Sequence, residues 1–274
     1  MILNWLQFFR FNGAFSAISA SLCGYILFTE TYDYVHALGL CTISLCLFIS
    51  GMGFNDIADR NKDSVLRPER PLPSGRINLT HAIVVCILLT LIPIIISFFM
   101  SKFHLYSTLI LIILIAIYNF WAKSNALASV SITSCRVANF ILGIGPSLLL
   151  NDQTTFPILI IALHTFSIMK MADGEDESKK LNSFFYIYQA CVIILLIKIN
   201  YMFAGVWLLF LILVTRNKIW TERGHRIKTV GQLVVGFCIL DMTLLLCHGK
   251  LLYAIIPLTL WIISILASKK IMAG

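Results

Sequence analysis

The chain has 274 residues, of which 59% are hydrophobic and only 12% charged, with a mean hydropathy of +0.89 and a net charge of +8. A soluble domain carries about twice that charged fraction, so the composition excludes an ordinary soluble enzyme and predicts an all-α, polytopic membrane protein. Apolar runs of membrane-spanning length fall near 13–29, 35–54, 81–101, 105–121, 127–150, 156–172, 183–199, 203–215, 230–247 and 251–268. The eighth run is short for a span, and Gln232 and Asp241 interrupt the ninth. The first run lacks a small-residue cleavage site and is read as a retained span. Nothing in the pattern suggests a second domain, so residues 1–274 read as one membrane-embedded unit.

Charge orients these runs. With the N-terminus in the cytoplasm and one crossing per run, cytoplasmic segments hold 17 of the 21 Lys and Arg residues, and the far side holds only Lys102, Lys198 and Lys250. That skew follows the positive-inside rule. Loops 55–80 and 173–182 are then both cytoplasmic, in the inner membrane if the cell is bacterial. The positive charge reads as a signal of topology and of contact with anionic membrane lipids, not of nucleic-acid binding. The eight cysteines lie in or beside apolar runs with no Cys-x-x-Cys and no zinc spacing, and read as small buried hydrophobes.

The first cytoplasmic loop carries the chemistry. In the run from Asn55 to Asp63, a helix places Asn55, Asp59 and Asp63 on one face with Asp56 beside them. Acids stacked four residues apart repel, and hard oxygen ligands suit Mg²⁺ that completes its shell with water and substrate phosphates. The following stretch, Arg67-Pro-Glu-Arg70-Pro-Leu-Pro-Ser-Gly-Arg76, supplies counter-charge for a diphosphate. The plain alternative is a solvated loop. After the sixth run, Lys170, Asp173, Glu175, Asp176 and Glu177 bring a second acidic cluster to the same membrane face, where the alternative is a helix cap neutralised by neighbouring lysines. Arg136 lies about nine residues into its run, and an intramembrane ionisable group marks a cavity by default; its alternative is a partner for a buried Asp or a carbonyl. Asn139 and Gly143 follow it on one helical face, with Lys123 at the start of that run and Tyr118 at the end of the preceding one.

The stretch NDIADRNKD followed by LRPERPLPSGRI resembles the first signature of the UbiA-type intramembrane prenyltransferase superfamily, written NDxxDxxxD with a trailing RPxRPxxSG. FFRFNGAFSA, which contains Asn12, resembles the Arg-Pro-x-Asn opening of the family's first helix, with Phe11 in place of Pro. Tyr118 with Lys123 is similar to its tyrosine–lysine pair, and CRVANFILG to its arginine-bearing helix. In the second cluster Asp173 and Asp176 keep the inner spacing of Lys-Asp-x-x-Asp-x-x-x-Asp, but two residues separate Lys170 from Asp173, and Lys180 stands at the third acid. That divergence and an extra C-terminal segment resemble the EboC-like branch. The RPERPLPSG tail is similar to members acting on glycerol-phosphate or chlorophyll-type acceptors.

The resemblance implies a bundle of about nine to ten helices around a central cavity, and transfer of a prenyl group from a prenyl diphosphate to a lipophilic or aromatic acceptor. It implies Mg²⁺ on Asn55, Asp56, Asp59, Asp63, Asp173 and Asp176. The diphosphate would be clamped by Asn12, Arg67, Arg70, Lys123, Arg136, Asn139 and Lys170, with the Tyr118 ring face stabilising an allylic cation. Two other classes stay open at this stage: a terpene cyclase of the same family, which uses no acceptor, and a non-catalytic lipid transporter or scaffold. The Asp-Gly-x-x-Ala-Arg signature of CDP-alcohol phosphotransferases is absent.

Overall fold

The computed structural model describes residues 2–122, 127–147, 152–173, 181–215 and 223–272. Among these residues there are helices and turns but no strand. A short helix α1 (Ile2–Phe8) leads into α2 (Phe11–Phe28) and α3 (Tyr34–Ala58); then come α4 (Arg60–Leu66), α5 (Leu79–Met100), α6 (Lys102–Ile117), α7 (Ala128–Ile144) and α8 (Asp152–Asp173). The chain continues through α9 (Leu181–Thr215), α10 (Arg223–Val235), α11 (Phe237–Cys247) and α12 (Ile255–Met272). Among the described residues, eight stretches are long and apolar enough to cross a membrane, and α7 is a shorter apolar helix. The protein is an integral, multi-pass membrane helical bundle.

Polar residues between the apolar runs start the helices. Asp33 accepts from the Val35 amide at 2.8 Å, Asn78 from that of Thr80 at 2.8 Å, and Ser101 from that of His104 at 3.3 Å, each satisfying an amide that lacks an intrahelical acceptor. Asn200 divides α9. Its backbone is extended (φ −161°, ψ 107°), and its side chain accepts from the Met202 amide at 3.1 Å. Trp207 then donates to Gln189 at 3.3 Å; in one straight helix those residues would stand about 27 Å apart. Residues 181–199 and 201–215 are therefore two antiparallel helices, matching the two separate apolar runs in the sequence. Counted so, the described bundle has ten apolar helices, the number that places both chain ends on the membrane face of loop 55–80.

The core follows the same arrangement. The largest cluster joins α2, α7, α8, α9 and α11 through Leu22, Phe140, Ile160, Leu196, Trp207 and Leu240. A smaller one packs Phe8 and Phe9 against Ile49, Leu72, Ile77 and Cys86, so it ties α1 and the 67–77 turns to α3 and α5. Helices α2 and α7 approach backbone to backbone. A Cβ on Gly24 would stand 2.5 Å from the Phe140 carbonyl, and one on Gly143 would overlap the Ser21 carbonyl. Without a hydrophobic drive between helices in lipid, such small residues let backbones touch. This contact brings Arg136 and Asn139 of α7 onto Ser16 and Ala17 of α2.

Candidate active site

The first acidic run lies where α3 ends. The helix proper stops at Ala58, Asp59 takes φ −86°, ψ 0°, and α4 begins at Arg60. Hydrogen bonds from Asp59 N to Asn55 O (3.0 Å) and from Asp63 N to Asp59 O (2.8 Å) carry the turn across the junction. The acids therefore remain stacked, but the face is not the one expected. Asn55, Asp56 and Asp63 are buried, whereas Asp59 is half-exposed. Asp56 and Asp63, seven residues apart, form the inner pair.

Two arginines hold that pair. Arg70 Nη1 donates to Asp63 Oδ2 at 2.6 Å and to Asp56 Oδ1 at 3.3 Å; Arg10 Nη2 donates to Asp56 Oδ1 at 2.8 Å. The Asn55 amide adds a contact to the same oxygen at 3.3 Å. The Asp56 and Asp63 side chains are 5% and 7% exposed, against 40% for Arg10 and 20% for Arg70. The cations thus stand on the open side of the carboxylates. Only one oxygen of each carboxylate takes part in these bonds. Among the described residues no three His, Cys, Asp or Glu side chains converge as a metal-binding group.

Local sequence explains how each arginine arrives. Arg70 is carried by tight turns in a proline-rich stretch, closed by bonds from Arg70 N to Arg67 O (3.1 Å), Ser74 N to Arg70 O (3.0 Å) and Ile77 N to Pro71 O (3.0 Å). Gly75 supplies the left-handed residue of these turns (φ +74°). Buried Leu72 and Ile77 seat them in the smaller core cluster. Arg76 ties the stretch to α1, donating to Asn4 at 3.4 Å and Gln7 at 3.5 Å and to the Glu69 carbonyl. Arg10 lies between α1 and α2 in the left-handed conformation (φ 45°, ψ 49°), the only non-glycine residue with positive φ among those described. Such a conformation costs about 1–2 kcal/mol and is concentrated at functional sites. A proline at position 11 would push residue 10 toward extended backbone; Phe11 leaves Arg10 able to turn in toward Asp56.

The other expected site residues are distributed as follows. Arg67 closes α4 through its own amide, which donates to Asp63 O at 2.8 Å. Tyr118 opens a π-helical turn, Tyr118–Ala122, whose Phe120 packs edge-on against Phe54, the residue before Asn55, at 6.1 Å. Asn12 accepts from Ser264 of α12 through its carbonyl at 2.5 Å. Asn139 staples three helices, accepting from Ser44 at 2.8 Å and donating to Ala17 O at 2.9 Å. Arg136 donates to Ser16 at 2.7 Å and stacks at 4.3 Å over Phe237 of α11, and it interacts electrostatically with Asp241. Lys170 stands 5.5 Å over Phe166. Asp173 is the last residue of α8; Lys123 and Asp176 lie outside the described residues.

The structure therefore brings together Asn55, Asp56, Asp63 and Arg70, and adds Arg10, the arginine of the FFRFNGAFSA stretch, which was not among the expected site residues. It also places Asp241, expected only to interrupt an apolar run, beside Arg136 in the interior. Buried carboxylates faced by guanidinium groups have the chemistry to hold an oxyanion together with a hard cation.

Residues 17–268 match the UbiA prenyltransferase family. Over 124 residues the chain is 34% identical to the digeranylgeranylglyceryl phosphate synthase of Methanosphaera stadtmanae, an alignment covering 44% of each. The match thus spans less than half the length of that curated relative. A UbiA homologue from Aeropyrum pernix K1 superposes with a TM-score of 0.68 at 14% identity, covering 86% of this chain and 98% of the other. A UbiA homologue from Archaeoglobus fulgidus, solved with DMAPP and Mg²⁺, does so with a TM-score of 0.63 at 14% identity, covering 84% and 97%. At these identities the superpositions establish a common fold.

Proposed function

Since the chain belongs to the UbiA prenyltransferase family, we propose that it transfers a prenyl group from a prenyl diphosphate to a lipophilic acceptor within the membrane. The acceptor is a lipid with a free hydroxyl on a glycerol-phosphate-type head. The observation that carries this reading is the bundle end where Arg10 and Arg70 meet the buried Asp56 and Asp63. The names of the similar proteins support both substrates: digeranylgeranylglyceryl phosphate synthase for the acceptor, and homologues bound to DMAPP or GPP with Mg²⁺ for the donor.

The residues present fit Mg²⁺. Their donors are all oxygen, two carboxylates each keep an oxygen outside the arginine bonds, and a site of few protein ligands leaves positions for water and phosphate. Asp56, Asp63 and Asn55 would hold the ion, with Asp59 at the junction and Asp173 and Asp176 from the second cluster. When bound, Mg²⁺ supplies positive charge against the departing diphosphate. Arg10 and Arg70, already on the open side of the carboxylates, bind the diphosphate oxygens, and Arg67 and Lys123 extend that clamp. The Tyr118 ring would stabilise the positive charge that develops on the allylic carbon. Preorganised charge of this kind acts most strongly where water is excluded. The prenyl tail belongs in the bilayer, where each buried CH₂ contributes about 0.8 kcal/mol. The site faces the cytoplasm, because the basic residues of loop 55–80 lie on the side that the positive-inside rule assigns to it.

The test incubates purified protein and Mg²⁺ with prenyl diphosphates of several lengths, with and without a hydroxyl-bearing glycerol-phosphate lipid. Diphosphate release that depends on the acceptor supports transfer. Release without acceptor, giving a cyclic product, would replace this reading with a cyclase, and absence of turnover with any pair would remove the enzyme assignment.

A further inference from the structure

A second pair of opposite charges lies in the interior, outside the acid cluster. Arg136 on α7 and Asp241 on α11 are electrostatic neighbours. Yet the ion pairs within 4.0 Å among the described residues are all at Asp56 and Asp63. Each partner turns to α2 instead: Arg136 Nη2 donates to Ser16 Oγ at 2.7 Å, and Asp241 Oδ2 accepts from Ser19 Oγ at 2.5 Å. Arg136 Nη1 and Asp241 Oδ1 are both buried without a hydrogen-bond partner, and Asp241 is 0% exposed.

A pair kept only for stability would close directly, because desolvation of buried charges is offset only by excellent mutual geometry with every remaining lone pair satisfied. This pair stays apart, and each member keeps one polar atom unused. A group that satisfies both must accept from Nη1 and donate to Oδ1. A hydroxyl does both with one oxygen, whereas a fully ionised phosphate or a carboxylate has no proton to donate, an ammonium has no acceptor, and hydrocarbon has neither. Position agrees with such a ligand. Asn12, Ser16 and Ser19 share one face of α2, and Ser16 and Ser19 lie about 9 and 13 Å along the helix axis from Arg10, whose guanidinium holds Asp56. The pair is thus about two helical turns along α2 from the arginine that holds Asp56.

We propose that Arg136 and Asp241 hold the hydroxyl of the lipid acceptor, and that Asp241 takes its proton during transfer. The inference rests on the prenyl-transfer reading above. The bond between the allylic carbon and the diphosphate oxygen breaks, and its electron pair leaves with diphosphate. The acceptor oxygen forms the new C–O bond to that carbon, and its proton passes to the Asp241 carboxylate, giving an ether and diphosphate. Asp241 is then a catalytic residue, and Arg136 orients the attacking oxygen.

The experiment compares wild type with Asp241→Asn, which is isosteric and keeps an acceptor for Ser19. Binding of a non-ionisable prenyl thiolodiphosphate with Mg²⁺ and kcat for transfer to a 1-O-alkylglycerol phosphate are measured on both. The kcat is expected to fall about 10²–10⁴-fold, the range for loss of a general base, while donor affinity stays within about threefold. A kcat within threefold of wild type would overturn the assignment, as would donor affinity and thermal stability falling in step with kcat. A second arm uses wild type alone and compares binding of the alkylglycerol phosphate with that of its deoxy analogue. Binding at least about tenfold tighter with the hydroxyl is expected, and equal binding, the mark of a pair bridged only by water, would refute the site. That arm separates the two ideas: wild type that binds no prenyl thiolodiphosphate removes the prenyl-transfer reading, while the hydroxyl comparison still decides the Arg136–Asp241 site.

Discussion

Replacing Arg70 with alanine tests whether the acid cluster is a cation site. Among the described residues Arg70 is the sole ion-pair partner of Asp63 and one of two for Asp56, at 2.6 and 3.3 Å. Breaking a fully buried pair costs about 3–5 kcal/mol, because one charge is left uncompensated. Here the cost is lower. Arg70 is 20% exposed, and Asp56 keeps Arg10 and Asn55, so Asp63 alone loses its counter-charge. About 2–3 kcal/mol is expected in metal-free protein, or a Tm lower by about 5–10 °C at this chain length. A divalent ion at 100 times its Kd adds about 2.7 kcal/mol to the form that binds it. In Arg70→Ala it also replaces the missing charge. Differential scanning of detergent-solubilised protein should therefore show a larger Mg²⁺-induced rise in Tm for Arg70→Ala than for wild type. A variant as stable as wild type without metal, or a Mg²⁺ response no larger than that of wild type, would mean that Arg70 does not occupy a cation site.

Three further outcomes follow from the same geometry. Asp56→Asn and Asp63→Asn should each lower kcat by about 10²–10³, with Asp59→Asn the mildest of the three because Asp59 is half-exposed at the helix junction; steady-state turnover of the three variants checks the order. Gly143→Val should prevent close packing of α2 on α7, since even a Cβ there overlaps the Ser21 carbonyl; at about 1–3 kcal/mol for overpacking or more, size-exclusion chromatography should show loss of monodisperse protein, whereas Gly205→Val, in open space, should not. Cysteine at Arg76 should react with an impermeant maleimide only from the cytoplasmic side, as assayed in vesicles of known orientation.

What could be read from the sequence divides along a physical line. The apolar runs were legible because a bilayer demands about 20 apolar residues per crossing, and even the break at Asn200 showed as the gap between the runs 183–199 and 203–215. The acid motif was legible as a composition, but the pairing inside it was not. Ideal helical spacing made Asp59 central, whereas the helix ends at Ala58 and the buried pair is Asp56 with Asp63, selected by Arg70. That selection depends on the turns of 67–77 and their seating on Leu72 and Ile77, a tertiary outcome with no periodic signal. Arg10 was hidden because its role needs a left-handed backbone, and the available clue was the absence of proline at position 11. Asp241 reads in one dimension as an interruption of a span. Its meaning comes from Arg136, 105 residues earlier, and from the glycines that press α7 onto α2.

If Asp56, Asp63, Arg10 and Arg70 form one site for a cation and a diphosphate, both ligands must depend on the same carboxylates. The most direct measurement is calorimetric titration of a prenyl thiolodiphosphate into purified protein, with Mg²⁺ and with excess chelator, in wild type and in Asp56→Asn/Asp63→Asn. Binding that requires Mg²⁺ and disappears in the double variant is the predicted result. Binding of equal strength in chelator, or retained by the double variant, would contradict it.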